Sequence, residues 1–258
     1  MKMKTKFSLI FFLISVKILS CTCLPQIIPQ AYFENEVVGI ITIKSTYGNE
    51  IVNEVGFGNR TYKAKISFDK IYKGKEFNEL TILGTTESIS SGACEIQVKA
   101  GEKYLILLNK NLEGKYIVSL CSNIYRVNSN LKKYNELFRY LDKNRIKFQD
   151  LRFLAFYDKS NDWDDINKKE TSDFINTFGK KLKNKFGLYK IKIDSENNII
   201  EVISIKKIGL NENKILTLIK KNIKVDFISN KVPNSQYLLF VRFLINLPTK
   251  TPYNSLKT

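Results

Sequence analysis

Two cysteines one residue apart, Cys21 and Cys23, stand directly behind an apolar leader, and the only others in the chain are Cys94 and Cys121. The leader has the order of a secretory signal: Lys2, Lys4 and Lys6, an apolar run from Phe7 to Val16, then Ile18-Leu19-Ser20 before Cys21. Residues 1–20 therefore read as a signal peptide, and the mature chain is expected to begin at Cys21. In an exported chain four cysteines favour two disulfides over metal or redox use. A disulfide between Cys21 and Cys23 themselves would close a small, strained ring. Cys21 and Cys23 are thus expected to bond separately to Cys94 and Cys121, which would tie the mature N-terminus across its own domain. In the chain-entropy picture each such loop contributes about 4 kcal/mol.

The same junction, Ile18-Leu19-Ser20-Cys21, also suits a lipoprotein signal. In that case a thioether-linked lipid would occupy the Cys21 thiol and anchor the chain in the cell envelope. The two readings exclude each other chemically. No later apolar run approaches the roughly 20 residues a spanning helix needs, so contact with a membrane is expected only if Cys21 is lipidated.

The sequence contains no histidine. Every Ser-His, Cys-His and His-ligated metal mechanism is thereby excluded, and no Ser-Lys or paired-carboxylate pattern replaces them. The expectation is a binding protein with no cofactor and no catalytic residue. The net charge of +17 falls to +13 once Lys2, Lys4, Lys6 and Lys17 leave with the signal. The remaining lysines are spread along the chain among isoleucine and asparagine and form no basic-aromatic or helix-turn-helix pattern, so nucleic acid is not an expected partner.

Hydrophobic periodicity divides the mature chain near residue 128. After a non-regular segment to about Glu34, strands are expected at 37–43, 62–69, 80–83, 104–108 and 115–120, with an inserted connection from Tyr47 to Arg60. In the second of these, Tyr62, Ala64, Ile66 and Phe68 alternate with Lys63, Lys65, Ser67 and Asp69. Five short strands with turn signals between them suit a small Greek-key β barrel of the OB-fold type over residues 21–128. From Leu131 the pattern turns helical. Residues 129–258 then read as a helical linker and a small α+β domain: helix 172–185, strands 188–193 and 199–205 joined by Ser195-Glu196-Asn197-Asn198, helix 211–221 and strand 237–245.

Five segments carry a family resemblance: Cys21-Thr22-Cys23-Leu24-Pro25, Ile71-Tyr72-Lys73-Gly74, Cys94, Glu102-Lys103-Tyr104-Leu105-Ile106 and Cys121-Ser122. In order and spacing, residues of about 21–125 resemble the N-terminal, netrin-like OB-fold domain of the tissue inhibitors of metalloproteinases. The resemblance implies the pairing Cys21–Cys94 and Cys23–Cys121. It also implies that the α-amine and carbonyl of Cys21 chelate the catalytic zinc of a target metalloprotease, the chain holding no metal of its own. Thr22 would enter the protease's specificity pocket, Leu24 and Pro25 would extend along the cleft, and the loop 88–93 would line the same ridge. The third disulfide of that family domain has no counterpart here, and neither does the family's cysteine-rich C-terminal domain. The order of elements after residue 129 instead resembles the C-terminal domain of TonB-type proteins. A reading of another class is a cell-envelope scaffold, with the barrel as framework and no inhibitory activity.

Overall fold

The computed structural model describes residues 26–52, 59–87, 94–127, 132–148, 150–158, 184, 186–209, 212–225 and 236–242. The chain divides into two compact units, one holding residues 35–127 and the other residues 26–34 with those from 128 onward.

The first unit is built on one strongly curled, half-barrel sheet. Its strands are β1 (Val37–Val52), β2 (Asn59–Lys73), β3 (Glu79–Leu83), β4 (Lys103–Leu108), β5 (Ile117–Val118) and β6 (Asn123–Arg126), in the order β5-β3-β2-β1-β4-β6. All neighbours are antiparallel except β3 and β5, which are parallel. Four register irregularities along the β1–β2 pair supply the curl, because each extra residue bends its strand and increases the local twist. Gly39 lies at the first of them, where a Cβ would stand 2.7 Å from the Phe68 ring and 2.9 Å from Lys70 O. The concave face is apolar: Ile41 and Ile43 from β1, Tyr62, Ala64 and Ile66 from β2, Leu80 and Ile82 from β3, Tyr104 and Ile106 from β4, and Val118 from β5.

The alternation expected along 62–69 is present, with Phe68 partly buried against this core. The expected connection from Tyr47 to Arg60 is largely strand instead: β1 runs on to Val52 and β2 starts at Asn59, pairing through Tyr47–Lys63 and Val52–Asn59. Within it Gly48, at φ +67°, and Asn49 form an irregularity between the Tyr47–Lys63 and Glu50–Thr61 pairs, after which the two strands pair on to Val52–Asn59. The expected strand at 115–120 shortens to Ile117–Val118, preceded by an antiparallel bridge from Tyr116 to Lys110. A sixth strand, β6, was not expected; it pairs with β4 through Ile124–Ile106.

The second unit opens with a helix, α1 (Ile28–Glu34), where a non-regular segment was expected. Proline is tolerated in a first helical turn, and Pro29 sits there. The side-chain amides of Gln26 and Gln30 donate to the Glu34 carboxylate. Seven residues cannot hold a helix alone; packing does so here, with Tyr32 stacked on Phe138 at 5.2 Å and Phe33 stacked on Phe153 at 6.0 Å.

Helices α2 (Lys132–Lys143) and α3 (Arg145–Phe148) follow, then β7 (Arg152–Leu154), β8 (Phe156–Asp158), β9 (Phe186–Ile193), β10 (Ile199–Lys206), α4 (Glu212–Asn222), β11 (Ile223–Val225) and β12 (Gln236–Arg242). The central sheet has the order β10-β9-β12-β7, with β12 parallel to β7, while β8 pairs separately with β11. Tyr189, Ile191, Ile193, Tyr237 and Leu239 pack with Ile215, Leu218 and Ile219 of α4. Aromatic rings fill the opposite side, Phe186 meeting Phe240 and Tyr140, and Phe148 meeting Phe153. The β9–β10 turn is closed by Asp194, whose Oδ1 accepts from the amides of Glu196 and Asn198 at 2.8 Å each, with Asn197 at φ +68°. The helix expected over 172–185 lies outside the described residues, apart from Asn184.

Candidate functional site

Cys21, Thr22, Cys23, Leu24, Pro25 and the loop 88–93 lie outside the described residues. The seat to which the N-terminal cysteines would be bonded is described in detail. Cys94 and Cys121 are both disulfide-bonded. They stand close together, because the Leu120 amide donates to Cys94 O at 3.0 Å.

The chain around each of them is fixed by hydrogen bonds. Cys121 occupies a turn in which the Ser122 amide donates to Ser119 O at 3.0 Å, the Ser119 amide to Ser122 Oγ at 2.9 Å and the Cys121 amide to Ser119 Oγ at 3.2 Å. After Cys94 the backbone runs along the β2–β3 edge. The Ile96 amide donates to Leu83 O at 2.9 Å, and the Gly84 amide to Arg60 O at 2.7 Å. Gly84, at φ +139°, allows this approach: a Cβ there would lie 2.9 Å from Ile96 O.

Two side chains lock the segment. Arg60 holds Glu95 through Nη2, at 3.0 and 3.1 Å to the two carboxylate oxygens, and through Nε at 3.2 Å. Only 8% of the Glu95 side chain is exposed, so the guanidinium is its necessary counter-charge. Tyr62 inserts its hydroxyl between two backbone groups, donating to Ile96 O at 3.1 Å and accepting from the Val98 amide at 2.9 Å. Burial pushes the Tyr62 pKa up, which keeps the proton this donation needs.

The result is a hydrogen-bonded platform carrying two half-cystines. Sequence reasoning placed Tyr62 on the inward face but left its hydroxyl without a role, and it missed Arg60 and Glu95. Their separation of 35 residues leaves no local pattern by which to pair them. Among the described residues no group of three or more His, Cys, Asp or Glu side chains could hold a metal ion. No helix among them is long and apolar enough to cross a membrane. No protein-family model matches this chain, and no curated protein matches it.

Proposed function

We propose that this chain is an exported inhibitor-like protein that binds a zinc metalloprotease through the segment Cys21–Pro25. The observation that carries the reading is the adjacency of Cys94 and Cys121, both disulfide-bonded, on a platform fixed by Arg60, Glu95 and Tyr62. Cystines from Cys21 to Cys94 and from Cys23 to Cys121 would fasten both ends of a three-residue segment to it, limiting the ordering cost of binding.

The strand pairing supports an OB-type barrel as the framework. What supports it is the β1-β2-β3 meander, β1 against β4 and β3 parallel to β5, with an isolated Lys110–Tyr116 bridge in the connection between β4 and β5. A catalytic zinc keeps one position open to water. The α-amine of Cys21, with an ordinary pKa near 8, loses its proton readily beside a dication and, with the Cys21 carbonyl, would take that position. Thr22 would enter the adjoining pocket, and Leu24 and Pro25 would lie along the cleft.

The rival envelope scaffold, lipid-anchored at Cys21, differs at that residue. Non-reducing peptide mapping and mass spectrometry of the mature protein are expected to find a free Cys21 amine with Cys21–Cys94 and Cys23–Cys121 bonds. A diacylglyceryl thioether on Cys21, or four free thiols, would overturn the inhibitor reading.

A further inference from the structure

We infer a second binding site, independent of the N-terminal segment: a cleft in the second unit, between α2 and the end of β10, that takes a phosphomonoester carrying a ring-sized body. The cleft has a volume of about 460 Å³ and is lined by Asn135, Glu136, Arg139, Tyr140, Lys143 and Lys206. The five α2 residues share one face because they are spaced three or four apart along the helix. Three cations therefore face a single carboxylate.

Lys206 is the informative member. Its side chain is only 16% exposed, and its ammonium lies 4.3 Å from the centre of the Phe186 ring and 5.6 Å from that of Tyr140. Among the described residues its acidic partner is Glu136, whose oxygen is 3.6 Å away, longer than a charge-assisted hydrogen bond. A desolvated ammonium held on aromatic faces, with incomplete neutralisation, is poised for an anion entering the cleft. Arg139 and Lys143, four residues apart on the rim, add a guanidinium fork and a second ammonium.

The net charge of the lining is +2, matched by the dianion of a phosphomonoester near neutral pH rather than by a carboxylate. The volume exceeds what a phosphate alone needs and falls within the range of small-molecule sites. Tyr140 offers its ring to the body of the ligand. A soluble phosphate ester and a phosphatidic acid headgroup share the phosphomonoester dianion.

The test uses the mature full chain and isothermal titration with phenyl phosphate, inorganic phosphate and benzoate. Phenyl phosphate is expected to bind most tightly. Lys206→Met and Arg139→Gln are each expected to weaken it about tenfold, while Lys65→Gln, in the first unit, leaves it unchanged. Arg139 is exposed, so its variant keeps the test valid if Lys206→Met fails to fold. Absence of phenyl phosphate binding, equal binding of benzoate, or equal weakening by Lys65→Gln would overturn the site. Phosphatidylcholine vesicles containing phosphatidic acid identify the source: binding lost in both cleft variants points to the lipid, and no vesicle binding beside intact phenyl phosphate binding points to a soluble ester.

Discussion

Replacing Tyr32 by alanine removes a side chain that lies close behind the proposed binding segment in sequence yet belongs to the second unit. Tyr32 is 1% exposed, stacked on Phe138 at 5.2 Å and edge-on to Phe33 at 5.5 Å, with its hydroxyl 3.3 Å from Asp142. Truncating a buried aromatic ring costs about 3 to 5 kcal/mol, of which the stacked pair accounts for roughly 1 kcal/mol. The hydroxyl contributes modestly, since its partners, Asp142 at 3.3 Å and Arg145, are both largely exposed charged groups. Tyr32→Phe is therefore expected to cost under about 1 kcal/mol, and Tyr32→Ala about 4 kcal/mol. Amide hydrogen exchange followed by mass spectrometry separates the units. A loss of about 4 kcal/mol speeds the slowest amides of α2 and β12 by roughly a thousandfold and leaves those of β1 and β2 unchanged. If α2 keeps its protection, or if β1 and β2 lose theirs instead, α1 is not an integral part of the second unit.

Three further outcomes follow from the platform and its barrel. Arg60→Ala leaves the Glu95 carboxylate buried without its guanidinium and is expected to cost about 2 to 3 kcal/mol in urea unfolding, whereas Arg60→Met combined with Glu95→Leu recovers most of the loss; equal losses in the single and double variants would contradict this. Gly74→Ala places a methyl 2.5 Å from Glu36 O at φ +84° and is expected to cost more than about 2 kcal/mol, against about 1 kcal/mol for Gly48→Ala at φ +67° in open space; similar unfolding midpoints would contradict it. Burial raises the Asp69 carboxyl, but Lys103 at 2.6 Å and Thr42 at 2.9 Å outweigh it and hold the pKa below the usual value. The stability this adds is full above the unfolded pKa near 4 and is lost as pH falls through the folded value; Asp69→Asn should flatten that part of the acid limb of a stability–pH curve, and an unchanged limb would contradict it.

The parts of the fold legible in the sequence are those whose signal is local. The alternation from Tyr62 to Phe68 declares β2, and the 3–4 spacing of Tyr134, Leu137, Phe138 and Leu141 declares α2; both sets are buried or nearly so. Ser195-Glu196-Asn197-Asn198 declares a turn, although the side chain that closes it, Asp194, stands just before that run. Elements fixed by distant partners were silent. α1 depends on Phe138 and Phe153, more than a hundred residues on, and β6 depends on β4. The arms of β1 and β2 beyond Tyr47 carry glycine and asparagine that read as loop until each supplies the other's hydrogen bonds. At the candidate site the cysteine spacing pointed to Cys94 and Cys121. The lock formed by Arg60, Glu95 and the Tyr62 hydroxyl is a contact between β2 and a segment more than thirty residues away, which no short pattern announces.

The measurement that bears most directly on the account is inhibition of a panel of zinc metalloproteases by the mature protein beginning at Cys21, compared with the same protein carrying one alanine before it. The added residue turns the α-amine into an amide that cannot coordinate zinc and pushes bulk into the place of the displaced water, while the platform around Cys94 and Cys121 stays as it is. The account predicts that the native protein slows at least one protease, that the extended one slows none, and that Thr22→Gly has an intermediate effect through lost pocket contacts of roughly 1 to 3 kcal/mol. Inhibition by the extended protein as strong as by the native one, or no inhibition by either across the panel, would contradict zinc chelation by Cys21.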